Sequence, residues 1–304
     1  MRICALILLL SGAARAGAND VQLWRLGHPD ALGCTICDGN PLDVPEPGTP
    51  GAQARFHRFA STLGLAFVPP FQEPAATTGQ AGFEVGLSSS QAFLRISPDA
   101  WPTAGTQASA EPPGLLVLPA LAVRKGLGGS FELGVAVQWL TNSEIMAFSG
   151  ELRWAVVEGL ASAPDVALRL WGTRMIGAQD LDLVSAGADA MVSKSFGIAG
   201  MIRLQPYGSL GVAMVNASSS SVDFKPAVED PSQPGRDDQV FHPISLQNNR
   251  YWRAGAGLRM VAGRTVLGLE GAVAWGTNSI EDGPSSTTNF VRLWSLAARL
   301  GVTF

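Results

Sequence analysis

From residue 81 to the end of the chain, apolar and polar side chains alternate in a series of segments that are separated by turn residues. In the clearest segment, Phe131, Leu133, Val135, Val137 and Trp139 alternate with Glu132, Gly134, Ala136 and Gln138. A period of two places the two sets on opposite faces of a β-strand. We expect an all-β, antiparallel, up-and-down arrangement of about ten strands. The count rises to twelve if Leu63–Phe67 and the break at Ser88–Gln91, where the first segment changes face, belong to further strands.

The charged residues within these segments all share the polar face. They are Glu84, Glu132, Glu151, Arg153, Arg169, Asp189, Arg203, Arg253, Arg259, Glu270 and Arg299. In a water-soluble barrel the charged face lies outside, whereas in a membrane barrel the apolar face meets lipid and the charged face lines the lumen. Alternation alone therefore leaves both architectures open.

The lengths of the connections favour the membrane barrel. With Phe304 placed at the periplasmic end, the connections near 125–129, 158–165, 195–197 and 262–264 are short and periplasmic. The connections 97–114, 141–148, 216–247 and 276–288 fall outside and are longer, with 177–180 the one short external loop. Short periplasmic turns and long external loops are typical of transmembrane barrels.

The large aromatic residues of the apolar face collect near the strand ends. Trp139, Trp252, Trp275 and Trp294 lie near the predicted outer ends, whereas Phe131, Phe196 and Phe304 lie at the inner ends; Trp154 is on the same face but away from the outer end. Two levels of aromatic residues indicate girdles at the two lipid interfaces. A soluble core would place its large rings centrally.

The last strand carries a resemblance to a known class. In Asn289–Phe304 the alternation continues to the C-terminal residue, with Leu300, Val302 and Phe304 on the apolar face. This ending resembles that of the bacterial single-chain outer-membrane β-barrels, whose assembly machinery reads the C-terminal strand. The resemblance implies an even strand number, an outer-membrane location, and the lipid bilayer, lipopolysaccharide and that assembly machinery as partners.

Composition agrees with a barrel and excludes other classes. Charged residues make up 15% of the 304 residues, against about 25% in typical soluble domains. The formal net charge of −4 does not suit a nucleic-acid-binding protein. Beyond the N-terminus, no uncharged apolar run is long enough for a spanning helix, so a membrane-spanning chain must close as a barrel.

The N-terminus predicts export. Residues 1–18 have one Arg, a short apolar core and small residues at the end, as in a cleaved signal peptide. In an exported chain, Cys34 and Cys37 most simply form a disulfide. A c-type haem site would need His where Asp38 stands, and a zinc site would need two further ligands, of which only His28 is near. We expect neither a metal nor another cofactor.

The segment 19–80 precedes the barrel, which we assign to residues 81–304. Between Gln53 and Phe67, the residues Phe56, Phe59 and Leu63 recur at helical spacing and predict a short amphipathic helix. This segment either plugs the lumen, lies at the periplasmic interface or supplies a first strand. The sequence does not choose between these placements.

The charges predicted to line the lumen suggest three general hypotheses of function. Five acidic residues and six arginines are nearly balanced, which suggests an ion-pair network across a narrow lumen rather than a wide channel of one sign. The first hypothesis is a narrow channel or transporter for small solutes. The second is a structural or surface-binding barrel with an occluded lumen and functional outer loops. An enzyme is third, because Asp237, Asp238 and His242 lie in a loop and no strand residues form a catalytic set.

Overall fold

The computed structural model describes residues 17–27, 51–69, 71–198, 200–223, 238–246, 249–282 and 285–304. The predicted signal peptide up to residue 16, His28, Cys34, Cys37 and Asp237 lie outside the described residues.

Ten strands form a closed barrel in which each strand pairs antiparallel with the next. They are β1 (Phe83–Phe93), β2 (Leu115–Leu127), β3 (Phe131–Trp139), β4 (Met146–Val157), β5 (Asp165–Ile176), β6 (Leu181–Ser193), β7 (Ile202–Ser219), β8 (Asn249–Ala262), β9 (Thr265–Asp282) and β10 (Ser285–Thr303). Strand β10 closes the ring by pairing with β1, from Glu84–Thr303 to Phe93–Trp294. The ten-stranded, up-and-down barrel is confirmed, and the alternative count of twelve is wrong.

Short elements accompany the barrel. Helix α1 (Ala52–Ala66) lies within one residue of the predicted helix, and α2 (Ala104–Ser109) follows β1. Single turns of 3-10 helix cover Leu23–Leu26, Pro98–Ala100 and Gly128–Ser130. Phe196–Ile198 pairs with the start of β7, and Val222–Asp223 pairs with Asp238–Gln239. Among the described helices, none has the length and apolar character needed to cross a membrane.

Exposure shows that the barrel is inverted relative to a soluble protein. On β5, Leu170 is 61% exposed while its neighbour Arg169 is 0% exposed. The same contrast holds on β3 and β9, where Leu133 and Leu269 are exposed on the outward face and their neighbours Glu132 and Glu270 are buried inside. Because water would not stabilise such a surface, the outward face is the one that meets lipid.

Two local expectations were wrong. Strand β1 runs without a break through Ser88–Gln91, so Ser89 and Gln91 stay on the outward face, where the Gln91 amide lies 3.2 Å from the Ser89 hydroxyl. Pro206 within the sequence of β7 suggests a bulge, but the pairing of β7 with β8 continues through Leu258–Pro206 without a shift. A strand can therefore keep its backbone pairing with polar residues or proline on its outward face, as long as its inward face still packs.

The aromatic residues form two rings. At one end of the strands, Phe131 stacks on Trp154 with centroids 5.9 Å apart, and Phe83 lies 6.2 Å from Phe304. At the other end, Trp252 pairs in register with Trp275, and Phe93 pairs with Trp294; Trp139 ends β3 at the same end. From Trp294 to Phe304 is about 33 Å of strand, which a tilt of about 40° reduces to about 25 Å, the height of an outer-membrane apolar band.

The connections differ in length between the two ends. The four at the end that carries Phe304 are turns or short loops, and we refer to this end as the short-turn end. The opposite, long-loop end carries the connections 94–114, 140–145 and 220–248. The expected loop 276–288 is largely strand, because β9 and β10 remain paired as far as Asp282–Ser285. Backbone hydrogen bonds extend this hairpin beyond the apolar band, where side chains no longer need to alternate.

The chain before β1 runs through the barrel. At the long-loop end, the Asn19 amide donates to Asn142 O at 3.0 Å and the Gln22 amide donates to Pro102 O at 2.7 Å. Helix α1 then packs inside against β6, β7, β9 and β10. The segment leaves at the short-turn end and reverses at Gly79, whose φ of +82° suits glycine, to enter β1.

A charge on the outward face tests the membrane architecture. Leu269, near the middle of the apolar band on β9, is 60% exposed. We expect Leu269→Arg to lower the free energy of unfolding in lipid vesicles by about 2–4 kcal/mol, because the guanidinium would lie in hydrocarbon. The control is Asn216→Arg, at an exposed outward position of β7 beyond the aromatic ring, where the cost falls below about 1 kcal/mol. Equal costs at the two positions would contradict a lipid-facing surface.

Candidate functional site in the barrel lumen

The half of the lumen nearer the long loops is filled by apolar side chains. Phe56, Phe59 and Leu63 of α1 are each at most 1% exposed and belong to one buried cluster with residues of the strands and loops. Phe56 stacks on Phe241 at 4.6 Å, and Phe59 meets Trp101 edge-on at 5.0 Å. Burial of each aromatic side chain contributes about 1.5–3 kcal/mol. The helix is therefore part of the core of the protein.

Helix α1 also contacts the wall through polar atoms and one close approach. The Tyr251 and Ser61 hydroxyl oxygens lie 2.7 Å apart, and the Ser185 hydroxyl donates to Gly64 O at 3.0 Å. A Cβ at Gly64 would lie 2.7 Å from a methyl group of Val215. Glycine at this position lets the helix approach β6 and β7 closely.

Beyond α1 the chain is extended, and side chains of the wall bind its backbone. We call residues 51–69 and 71–78 the lumen segment. Arg153 donates to Gln72 O at 2.9 Å and to Pro74 O at 3.1 Å, and Arg169 donates to Phe71 O at 2.7 Å. Val68 O and Pro69 O accept from Gln138 and Arg253.

The backbone N–H groups of the lumen segment are bound in the same way. Those of Gln72, Ala75, Thr77 and Thr78 donate to Glu270, Ser193, Glu158 and Glu132, respectively, at 2.7–3.0 Å. An extended strand inside a barrel has no neighbouring strand to pair with, so its buried polar groups need such side-chain partners.

Glu73 is the centre of the charge cluster. Its carboxylate contacts Arg299, lies 3.2 Å from Arg124 Nη1 and lies 3.4 Å from Arg259 Nε. Glu84 pairs with two of the same arginines, Arg299 and Arg259. Glu73 is 3% exposed and has a φ of +63°, a conformation uncommon outside glycine, which aims its side chain at the wall.

The remaining lumen charges form a connected chain of ion pairs. Arg124 and Arg169 each lie 3.1 Å from Glu151, and Arg153 lies 3.1 Å from Glu132. Asp189 accepts from Arg169 Nε at 3.0 Å. Arg253 lies 3.8 Å from Asp189 and 3.9 Å from Glu270, to which the Tyr207 hydroxyl also donates.

This network differs from the predicted set in three residues. It comprises six carboxylates, Glu73, Glu84, Glu132, Glu151, Asp189 and Glu270, and six arginines, Arg124, Arg153, Arg169, Arg253, Arg259 and Arg299. Arg203, which we placed in the network, is instead exposed at the short-turn mouth, because its strand begins only one residue earlier. Glu73 and Arg124 were missed.

A signal for Arg124 was present in the sequence. Leu121 and Val123 are apolar and alternate with Ala122 and Arg124, which places Arg124 on the inner face, although the strand is apolar on both faces further along. No such signal exists for Glu73. It lies outside the strands, so no face can be assigned to it by alternation.

Of the residues considered for catalysis or metal binding, Asp238 and His242 lie within the described part of the chain, whereas His28, Asp237 and the two cysteines do not. His57 is buried in α1, whereas His242 exchanges hydrogen bonds through its backbone with the Gln53 side chain at 2.8 and 3.0 Å. Over the described ranges, no three His, Cys, Asp or Glu side chains cluster in a way that could hold a metal ion.

Three cavities lie in the described part of the barrel or at its ends. A cavity of about 20 Å³, room for about one water molecule, lies between Phe71 and the wall strands β2–β4. A vestibule of about 740 Å³ opens at the short-turn end beside Thr77, Lys194 and Arg203. A groove of about 510 Å³ lies at the long-loop end between Arg174 and Ser220. Of these three cavities, the two wide ones lie at the two ends of the barrel.

Glu158, in the connection between β4 and β5, holds the exit of the lumen segment. Its carboxylate accepts from the Thr77 amide at 3.0 Å and from the Thr77 hydroxyl at 2.9 Å. Partial burial alone would raise the pKa of Glu158, but these hydrogen bonds and one from Ser130 stabilise the carboxylate and lower the pKa below its ordinary value.

Fold and surface define a transmembrane β-barrel of the bacterial outer membrane: a closed ring of ten antiparallel strands, an apolar outer band between two aromatic rings and charges inside. No protein-family model matches the chain, and the comparison with curated proteins gives no match.

Several solved outer-membrane barrels are similar to this chain at low identity. Neisserial surface protein A is 14% identical over 74% of this chain and 100% of that chain, with a TM-score of 0.32. The N-terminal β-barrel domain of Pseudomonas aeruginosa OprF is 14% identical over 74% and 99%, with a TM-score of 0.30. The outer membrane protease OmpT from Escherichia coli is 7% identical over 77% and 99%, with a TM-score of 0.36. No activity is carried over at such identities.

Removal of the central carboxylate should destabilise the whole barrel. We expect Glu73→Gln to lower the free energy of unfolding by about 3–5 kcal/mol, because buried guanidinium groups lose their partner. The control is Asp182→Asn, which removes the exposed partner of Arg174 at 3.1 Å and should cost less than about 1 kcal/mol. Denaturant unfolding in lipid vesicles measures both, and similar losses would contradict a central role for Glu73.

Acidification should loosen the exit of the lumen segment. Because the pKa of Glu158 is lower in the folded protein, its anchoring contribution is present at neutral pH and is lost as the pH falls below the ordinary value of 4.5. Hydrogen exchange at the Thr77 amide, corrected for the intrinsic rate, should accelerate over that range. In Glu158→Gln the exchange should already be fast and should change little with pH; identical profiles for the two proteins would refute this role.

Proposed function

We propose that the protein is a closed outer-membrane barrel, in which the lumen segment is a fixed plug and the long-loop end is the surface that acts. The observation that carries this proposal is the binding of the lumen segment along its length, by apolar packing of α1 and by the charge network below it. This is the occluded barrel that the sequence offered as the second hypothesis.

The energy of these contacts opposes spontaneous opening. Five backbone carbonyls and four backbone N–H groups of the lumen segment, nine groups in all, are bound by wall side chains. At about 1 kcal/mol for each hydrogen bond, release would cost on the order of 10 kcal/mol before the ion pairs of Glu73 are counted. A channel for small solutes, our first hypothesis, would need the segment to move, and it stays a prediction.

The long-loop end supports a role as a surface. Residues 17–27, the connection 94–114 and the returning limb 241–246 pack on one another and on α1. Ala217 and Ile244 exchange backbone hydrogen bonds at 3.1 and 2.8 Å, which fixes this limb to β7. These three segments form a cap over the buried helix α1, and the cap offers a preformed surface for a partner. The fold does not determine the identity of that partner. That the protein is not an enzyme also stays a prediction.

Conductance measurements test the plug. In planar lipid bilayers we expect the full-length protein to show no discrete conductance above bare lipid, whereas a chain lacking residues 19–78 should conduct. Glu73→Gln, which weakens the network without removing the segment, should show brief openings, and Asp182→Asn should behave as the wild type. Steady wild-type conductance equal to that of the truncated chain would refute the plug and favour the channel.

A further inference from the structure

Three arginines face outward at the long-loop end, on the arc of the barrel formed by β8, β9, β10 and β1. Arg292 lies on β10 and shares the outward face of Trp294, and Arg250 lies on β8 and shares the face of Trp252. Arg95 is exposed two residues beyond Phe93, the last residue of β1, and the residue between them, Leu94, is buried. All three arginines therefore project away from the lumen.

The arginines begin at the level of the aromatic ring. Trp275 pairs in register with Trp252 on one side and with Arg292 on the other. Arg250 pairs with Thr277, one row further from the apolar band. With neighbouring strands about 4.8 Å apart, Arg250 and Arg292 are about 10 Å apart across the sheet, with Arg95 one strand beyond Arg292. The group thus lies where lipid headgroups meet the barrel.

At the long-loop end, these three arginines differ from the outward-facing Arg174 in lacking a carboxylate partner among the described residues. Within the part of the chain that the structure describes, none of them forms an ion pair or hydrogen bond. The six lumen arginines are all paired, and Arg174, which also faces outward at this end, pairs with Asp182. Three uncompensated guanidinium groups at this spacing repel one another and attract an anion.

We propose that Arg95, Arg250 and Arg292 form a binding site for the phosphate groups of a phosphorylated glycolipid in the outer leaflet, of the lipopolysaccharide type. Guanidinium groups bind phosphate oxygens through paired, charge-assisted hydrogen bonds. The acyl chains of such a lipid would lie against the apolar band below, and Trp252, Trp275 and Trp294 occupy the interface between the two. The proposal is independent of whether the lumen conducts.

The position of the side chains favours a lipid over a free anion. They project from the lipid-facing surface directly beside the aromatic ring, rather than from the water-exposed cap. A soluble phosphate would gain only the charge interaction there, whereas a lipid also gains contact between its chains and the apolar band. Short turns at the opposite end place this site in the outer leaflet.

Binding of fluorescent diphosphoryl lipid A to the full-length protein in zwitterionic detergent tests the site. We expect the triple variant Arg95→Gln, Arg250→Gln, Arg292→Gln to bind at least about tenfold more weakly than the wild type, and each single variant about threefold more weakly. The control Arg174→Gln removes an outward arginine that already has a partner and should bind as the wild type. Unchanged heat modifiability in electrophoresis shows that each variant is folded. If the triple variant does not fold, the affinities of the single variants test the proposal.

Two further probes separate the sources of phosphate. Dephosphorylated lipid A should bind the wild type and the triple variant equally. Inorganic phosphate in excess should displace diphosphoryl lipid A only in part. The proposal is wrong if the triple variant retains wild-type affinity, if Arg174→Gln loses as much, or if inorganic phosphate displaces the lipid completely, which would indicate a free-anion site.

Discussion

The interior of this barrel is governed by the need of buried polar groups for partners. Five carboxylates and six arginines of the network face inward from the wall, and the extended part of the lumen segment brings Glu73 and a further set of backbone donors and acceptors. Wall and segment satisfy one another, so each contributes to the stability of the other. Replacing one charge therefore affects the position of the segment, the stability of the wall and the closure of the lumen together.

The two halves of the lumen provide partners for buried polar groups in different ways. Near the long loops, α1 satisfies its own backbone, so its apolar side chains can pack against Trp101, Val215 and Tyr251. Below it, the helix ends at Ala66, and the backbone groups of the extended chain that follows need side-chain partners. The switch from apolar packing to ion pairs along the lumen follows the switch from helix to extended chain. Apolar packing in the half of the lumen near the long loops fixes the cap. Ion pairs in the other half close the lumen.

The sequence predicts the wall far better than what fills it. Alternation identifies both faces of strands such as β3, because lipid favours apolar side chains and the lumen favours polar ones at successive residues. It fails at 276–288, where the pairing of β9 with β10 continues the strands beyond the aromatic ring. It also fails for Glu73, since the position of that residue depends on contacts with β2, β8 and β10 that no local pattern encodes. The placement of α1 inside the barrel is nonlocal for the same reason.

The path of the lumen segment has a consequence for assembly. The segment comes before β1 in the chain, yet the ring closes only when β10, the last strand to be made, pairs with β1. Threading a completed ring with a helix that carries Phe56, Phe59 and Phe67 would require the wall to open again. The strands are therefore expected to wrap around the segment, with Glu73 gathering arginines of β2, β8 and β10 as the seam forms. In this order of events, the lumen segment is in place before the ring closes, and the strands assemble around it.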